Sequence, residues 1–110
     1  MKRSPEPPSQ PLSTPRFDPG RVCATPGLLG VVSQDYCIEC LERHLRGDWG
    51  IVCAEDAAAN EQALIEGSRI FSVYPLNPDH AYGEGIRGNR LYIITEADRS
   101  YTTLMLPDEY

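Results

Sequence analysis

The last part of the chain holds the sequence feature that most constrains the fold, a pair of β-rich runs separated by a short polar turn. The runs cover residues 90–96 and 100–106, and Ala97-Asp98-Arg99 lies between them. Isoleucine, tyrosine and threonine favour strands, and so short a connection joins antiparallel neighbours. The sequence therefore predicts a C-terminal β-hairpin that closes a small sheet.

Two further segments fit strands. The alternating pattern of residues 69–74 predicts a strand that Pro75 ends, and residues 21–24 fit a short strand near the start of the domain. Residues 77–89 contain Pro78 and several glycines, which predict a loop. Three antiparallel strands in sequence order, with two helices on one face of the sheet, account for every long apolar run. This arrangement needs no crossover connection between strands. The predicted fold class is therefore α+β.

The first long helix is predicted over residues 33–45. Its apolar side chains recur at the spacing of one buried face, namely Tyr36, Cys37, Cys40, Leu41 and His44. Gly47 follows and suits the left-handed conformation that ends many helices. A short helix is indicated before it, because Thr25-Pro26 matches an N-cap followed by proline at the first helical position.

A second long helix, rich in alanine, is predicted to end at Glu66 before a glycine. Either Glu55 or Asp56 can cap its start. Leu64 and Ile65 are expected to supply most of its apolar contact. Because the rest of the segment is small or polar, this helix is predicted to lie on the surface.

The N-terminal segment has a different composition from the rest. The first 19 residues hold six of the ten prolines, among serines and glutamine. Such a composition resists packing and favours extended chain. We expect a disordered tail over residues 1–19 and a single domain over residues 20–110. The P-x-x-P spacings of Pro5, Pro8 and Pro11 follow from this composition and do not by themselves indicate a ligand motif.

The charge of the domain favours a protein partner. The formal net charge is −6, and three basic against two acidic residues in the first 19 leave −7 on the remainder. Duplex DNA binding depends largely on Lys and Arg, so a basic partner, or mimicry of a nucleic acid, fits this charge better than DNA binding does. No apolar run follows the basic start, and no stretch approaches the roughly 18 apolar residues of a membrane helix. The expected compartment is the cytoplasm, with reduced cysteines.

Four residues have a spacing that needs testing as a metal site. Cys37, Cys40, His44 and Cys53 form C-x2-C-x3-H-x8-C, and four such ligands could hold zinc. The first three lie on one predicted helix face, where a reduced cysteine behaves as a small hydrophobe. Zinc-binding C-x-x-C pairs usually occupy turns, so core packing is favoured and no cofactor is predicted.

Residues 95–103 form the densest polar segment of the domain. In the ordinary interpretation Asp98 caps the turn and Arg99 pairs with Glu96 across it. In the functional interpretation Glu96 is a base, Arg99 holds an anion and His44 arrives from the helix as an acid. Such a set could cleave RNA without a metal ion, because the 2′-hydroxyl must lose a proton and the leaving oxygen must gain one. The candidate catalytic residues are His44, Glu96, Arg99, Ser100 and Thr102.

Trp49 is the single tryptophan and follows the first long helix in the sequence Gly-Asp-Trp-Gly. A tryptophan in such a turn is expected to close one end of the core, and if it were exposed it would be the natural hot spot of an interface. The candidate interaction residues are Asp48, Trp49, Asp98 and Arg99. His80, the other histidine, lies in the glycine-rich loop and is expected to be solvated.

Several motifs together resemble a known family. They are Ala24-Thr25-Pro26-Gly27, Arg43-His44 leading to Gly47-Asp48-Trp49-Gly50, and the run Ile93-Ile94-Thr95-Glu96-Ala97-Asp98-Arg99-Ser100 with Thr102-Thr103, Leu106-Pro107 and Glu109-Tyr110. Through these residues the chain is similar, over about residues 20–110, to a family of small uncharacterised bacterial proteins. Members of this family are encoded on plasmids, integrative elements and prophages.

The resemblance implies a mobile-element context, because the family has no established activity to transfer. Its recurring positions correspond to His44, Glu96, Arg99, Ser100 and Thr102. The family does not generally require Cys37, Cys40 or Cys53, which disfavours zinc further. Residues 75–89 form a long insertion where relatives have a tight turn.

Three functions remain open at this point. The favoured hypothesis is a non-enzymatic accessory protein that binds and modulates another protein, such as a host defence or restriction component. The alternative is a small metal-independent ribonuclease or toxin of the barnase and RelE-like group, which uses His44, Glu96 and Arg99. A zinc-stabilised interaction module is the third. Enzymes of the ribonuclease group are usually basic, so the charge of this domain disfavours the alternative.

Overall fold

A four-stranded sheet forms the centre of the protein in a computed structural model that describes residues 14–79 and 86–110. The strands are β1 (Arg21–Ala24), β2 (Ile70–Pro75), β3 (Arg90–Thr95) and β4 (Tyr101–Met105), in the order β1-β4-β3-β2. Strands β2, β3 and β4 are antiparallel neighbours, as predicted. Strand β1 pairs with β4 in parallel. The prediction of three strands is therefore wrong by one, because β1 is too short for alternation to reveal its pairing.

Three α-helices accompany the sheet in the described ranges: α1 (Pro26–Leu29), α2 (Gln34–Leu45) and α3 (Ala54–Glu66). Thr25 Oγ1 accepts a hydrogen bond from the Leu28 amide at 3.2 Å, so the predicted cap of α1 is confirmed. Ser33 caps α2 in the same way, with its hydroxyl 3.1 Å from the Tyr36 nitrogen. Gly47 follows α2 with φ of 87°, the left-handed conformation predicted for it.

Helix α3 differs from its prediction in two respects. Cys53 occupies the N-cap position without a side-chain hydrogen bond, and Glu55 and Asp56 lie in the first turn. Carboxylates in the first turn still interact favourably with the positive end of the helix dipole. Ile65 is 80% exposed, so its predicted packing role is wrong. The buried residues of α3 are Asn60 and Ala63, because this helix approaches β2 through its smaller side chains.

The core lies between the helices and one face of the sheet. Its larger cluster joins α1 and α2 to the three C-terminal strands and contains Leu28, Cys37, Cys40, Tyr74, Leu76, Leu91, Ile93, Leu104 and Leu106. A smaller cluster of Trp49, Ala63 and Ile70 lies under α3. Phe17 packs against this second cluster. The predicted face of α2 is confirmed for its three buried residues, Cys37, Cys40 and His44.

The domain begins earlier than the sequence predicts. The Arg16 amide donates to the Leu45 carbonyl at 2.8 Å, and the Arg16 guanidinium pairs with Glu61 of α3 at 2.8 Å. Residues 16–19 therefore belong with the domain, although proline content assigns them to the tail. Residues 1–13, with their P-x-x-P spacings, and His80 lie outside the described residues. No helix in the part of the chain that the structure describes is long and apolar enough to cross a membrane.

Candidate functional site

His44 lies at the centre of the polar residues that the sequence connects with function. It comes from the last turn of α2 and is fully buried. Its Nδ1 is 2.6 Å from Ser72 Oγ on β2, and its Nε2 is 2.9 Å from Thr95 Oγ1 on β3. Both ring nitrogens are therefore occupied by hydroxyl groups of the sheet.

The hydrogen bonds around His44 have a single consistent direction. Thr102 Oγ1 lies 2.7 Å from Thr95 Oγ1 and 2.7 Å from the Pro19 carbonyl oxygen. A carbonyl can only accept, so the Thr102 hydroxyl donates to Pro19 and must accept from Thr95. Thr95 then accepts from His44 Nε2–H, and Ser72 donates to the unprotonated Nδ1. The geometry thus places the proton of a neutral His44 ring on Nε2.

The surroundings of His44 oppose a charged ring. Burial, with a smaller contribution from the nearby charge of Arg99, lowers the pKa of His44 from 6.5 to about 3. The Phe17 ring contacts its edge at a centroid distance of 5.2 Å, and the Trp49 ring lies 6.0 Å away. His44 is therefore a neutral core residue, and this arrangement does not support the predicted role of general acid.

Arg99 connects the β3–β4 turn to the end of α3. Its Nη1 donates to the Ser68, Glu96 and Ala97 carbonyl oxygens at 2.6, 3.1 and 3.1 Å. Its Nη2 donates to the Ala63 carbonyl at 3.1 Å. These backbone oxygens engage both terminal nitrogens of the guanidinium. Arg99 therefore acts as a structural brace, and its predicted role as an anion clamp is not supported.

Glu96 also has a different partner from the one predicted. Its carboxylate pairs with Arg69 at 3.4 Å, whereas Arg99 binds its carbonyl oxygen. Among the described residues, no hydrogen bond joins Glu96 to His44. The predicted set of base, clamp and acid is not assembled, because Thr102 and His44 are buried, Ser100 is exposed, and the partly exposed Glu96 carboxylate is paired with Arg69.

The turn itself is well fixed and exposed. Arg99 has φ of 60°, and its amide donates to the Glu96 carbonyl at 2.9 Å. Asp98 Oδ1 accepts from the Ser100 amide at 3.0 Å, and hydrogen bonds from the Ser100 hydroxyl and amide lower the pKa of Asp98. A shallow concavity of about 340 Å³ lies on this turn, lined by Glu96, Ala97, Asp98, Ser100 and Tyr101. The turn therefore presents a negative, concave surface.

Trp49 and Asp48 lie in the segment that follows α2. Trp49 is only 6% exposed, and its Nε1 donates to Glu61 Oε2 at 3.0 Å. It closes the end of the core, as the ordinary interpretation predicts, and is not available as an exposed hot spot. Asp48 pairs with Arg43 at 2.7 Å. Of the four candidate interaction residues, Asp98 is the one whose exposed carboxylate has no cationic partner among the described residues.

The cysteines do not converge on one point. Cys37 and Cys40 pack in the core, and burial raises the pKa of Cys40 to about 11. Cys53 is exposed at the start of α3, and both nitrogens of His44 already bind hydroxyl groups. Within the described ranges, no three side chains of His, Cys, Asp or Glu are placed to hold a metal ion. The geometry therefore gives no support to the zinc set.

Sequence reasoning missed the partners of His44. Phe17, which contacts His44, and Pro19, which accepts from Thr102 in the same network, fall in the proline-rich segment, where composition hides a structural role. Ser72 gives a usable signal, since alternation places this polar residue on the inward face between Ile70 and Tyr74. Buried polar groups need partners, so an inward serine and a helical histidine could have been paired in advance. Comparison with known protein families, curated proteins and solved structures finds no match for this chain.

Proposed function

We propose that this protein is a non-enzymatic interaction protein that binds and modulates another protein through the β3–β4 turn, residues 96–101. One observation supports the proposal most directly. Arg99 fixes the turn through hydrogen bonds to backbone carbonyl oxygens, while the exposed Asp98 carboxylate has no cationic partner among the described residues. A preformed surface loses little conformational entropy on binding. The turn therefore suits recognition better than catalysis.

The chemistry of the turn indicates the kind of partner. Asp98 stays ionised because hydrogen bonds lower its pKa, and Tyr101 beside it is 46% exposed. A partner arginine or lysine can pair with the carboxylate and lie on the aromatic ring. The negative charge of the whole chain, −6, attracts the same partner over a longer range. The resemblance to mobile-element proteins suggests a host defence or restriction component as that partner.

The ribonuclease alternative has less support from the geometry. A general acid must reach the leaving oxygen, but His44 is fully buried and its ring is held neutral. We expect induced expression of the wild-type protein and of a His44→Gln/Arg99→Met double variant to be equally harmless to growth. Toxicity that depends on these two residues would favour the ribonuclease.

Site-specific photocrosslinking tests the proposed surface. A benzophenone amino acid replaces Ala97 in the turn, and a matched protein carries it at Ala58, which is exposed on α3. In the native host we expect a discrete crosslinked product from position 97 and none from position 58. Asp98→Arg should abolish that product, whereas Glu42→Arg, an equal charge change on α2, should leave it intact. Products that form equally from both positions, or that survive Asp98→Arg, would refute this surface.

A further inference from the structure

The two edges of the sheet are protected to different degrees. At the β2 edge, Asn60 bonds both backbone groups of Phe71, at 2.7 and 3.1 Å. The Val73 carbonyl accepts from the Ile51 amide at 2.8 Å, and the Val73 amide donates to the Trp49 carbonyl at 3.1 Å. The backbone groups of Phe71 and Val73 that point away from β3 therefore all have hydrogen-bond partners. This edge cannot accept another strand.

Among the described residues, nothing covers the β1 edge in this way. The Arg21 and Thr25 amides donate to the Ser100 and Leu104 carbonyls of the β4 side, at 3.1 and 3.0 Å. Alternate residues of a strand direct their backbone groups to opposite edges, so those of Val22 and Ala24 face outward. Within residues 14–79 and 86–110, no group hydrogen-bonds them on that side. Unpaired edges of this kind are templates for another strand.

An apolar groove of about 210 Å³ runs beside the same edge, between β1 and α2. Its lining includes Val22, Leu29 and Ile38, which are 42, 47 and 49% exposed. Every side chain that lines the groove is uncharged. Exposed apolar side chains and open backbone groups therefore coincide at one place on the surface.

We propose that a second copy of this chain pairs with β1 in an antiparallel arrangement about a two-fold axis. In that register Val22 lies opposite Ala24 of the second copy, and each such pair exchanges both of its backbone hydrogen bonds. The axis passes between Cys23 and Cys23 of the second copy. These two residues lie opposite each other as a non-hydrogen-bonded pair, with Cα atoms about 4.5 Å apart. The two sheets become continuous, and the two grooves meet.

Two observations favour a second copy over a different protein. The outward groups of β1 belong to Val22 and Ala24, which flank Cys23 symmetrically, so the strand is complementary to itself about that residue. The chain carries a net charge of −6, and two like-charged molecules associate most readily through a surface without charge. The groove is such a surface. The β3–β4 turn does not take part, so the dimer and the proposed partner can be tested separately.

Cysteine crosslinking tests the register directly. Diamide is added to the full-length protein, so that it takes two electrons and two protons from a pair of thiols as the disulfide forms. We expect a covalent dimer on a non-reducing gel for the wild type and for Cys53→Ser, but none for Cys23→Ser. Both residues are exposed, so reactivity alone does not separate them. Crosslinking that depends on Cys53 and not on Cys23 would overturn the register.

Sedimentation equilibrium tests the edge and the groove without oxidation. Val22→Pro removes one outward amide and keeps the amides that face β4, and Ile38→Asp places like charges across the axis. Each should weaken dimerisation at least about tenfold, or about 1.4 kcal/mol, whereas Ile65→Asp on exposed α3 should have no effect. Circular dichroism and thermal unfolding confirm that each variant is folded. A protein that stays monomeric to millimolar concentration, or a dimer that tolerates both substitutions, would overturn the proposal.

Discussion

Lowering the pH from about 7.5 to about 5 should destabilise this protein through one buried imidazole. The folded-state pKa of His44 is about 3, against an ordinary value of 6.5. Below pH 6.5 the unfolded chain binds a proton that the folded protein does not bind. The free energy of unfolding therefore falls by about 1.4 kcal/mol for each unit by which the pH is lowered. The loss continues until the pH approaches the folded-state pKa. At pH 5 it amounts to about 2 kcal/mol, a large share of a typical stability of about 5–15 kcal/mol.

The assay compares urea unfolding of the wild type and of His44→Gln at both pH values. Glutamine does not titrate, and His80 is present in both proteins, so its contribution cancels. Asp48 and Glu61 have lowered pKa values, and their stabilisation is lost only as the pH falls below the usual range of carboxylates. The window therefore stops at about pH 5. The wild type should lose about 2 kcal/mol more than the variant.

Equal losses in the two proteins would refute this reasoning. A second measurement covers the case in which His44→Gln does not fold. NMR of the wild-type imidazole should show the neutral tautomer with its proton on Nε2, unchanged down to about pH 5. A ring that titrates near its ordinary pKa would show that His44 is accessible to solvent protons, and would restore it as a candidate acid.

Three further outcomes are expected. Arg99→Met should lower the free energy of unfolding by about 2–3 kcal/mol, because the backbone carbonyls at the end of α3 and in the β3–β4 turn lose a charged donor. Arg46→Met, the control, should change the free energy of unfolding by less than about 0.5 kcal/mol. Asn60→Leu should cost about 1–3 kcal/mol in chemical denaturation, since it leaves both Phe71 backbone groups unpaired; a neutral result would mean that water replaces the amide. Ellman's reagent should titrate two thiols quickly in the native protein and the other two only after denaturation, in the order Cys23 and Cys53, then Cys37 and Cys40.

The elements that could be predicted from the sequence are those with local causes. The hairpin follows from two β-rich runs around a short turn, and α1 and α2 follow from Thr25 and Ser33 at their caps. The order of β2, β3 and β4 follows because neighbours in sequence became neighbours in space. In each case the relevant interaction joins residues close along the chain.

The features that could not be predicted depend on contacts between distant residues. Strand β1 finds its partner in β4, at the other end of the chain. Arg99 carries the guanidinium that an anion site would need, but its two terminal nitrogens donate to the carbonyl oxygens of Ser68 and Ala63. Sequence shows which groups can donate but not which acceptors the fold places beside them. The location of the candidate site, at the turn, therefore stays a prediction, and the geometry does not support the chemistry predicted for it.

The contact between Thr102 and Pro19 has a practical consequence for anyone who shortens this protein. Composition invites a cut at Gly20, just after the last proline of the N-terminal segment. Such a cut would remove the acceptor of the Thr102 hydroxyl and the Phe17 ring that covers His44. Water would then reach the imidazole, and the acid sensitivity described above would change together with the stability. A boundary before Arg16 retains both contacts, and comparing the two truncated proteins would measure what four apparently dispensable residues contribute to the core.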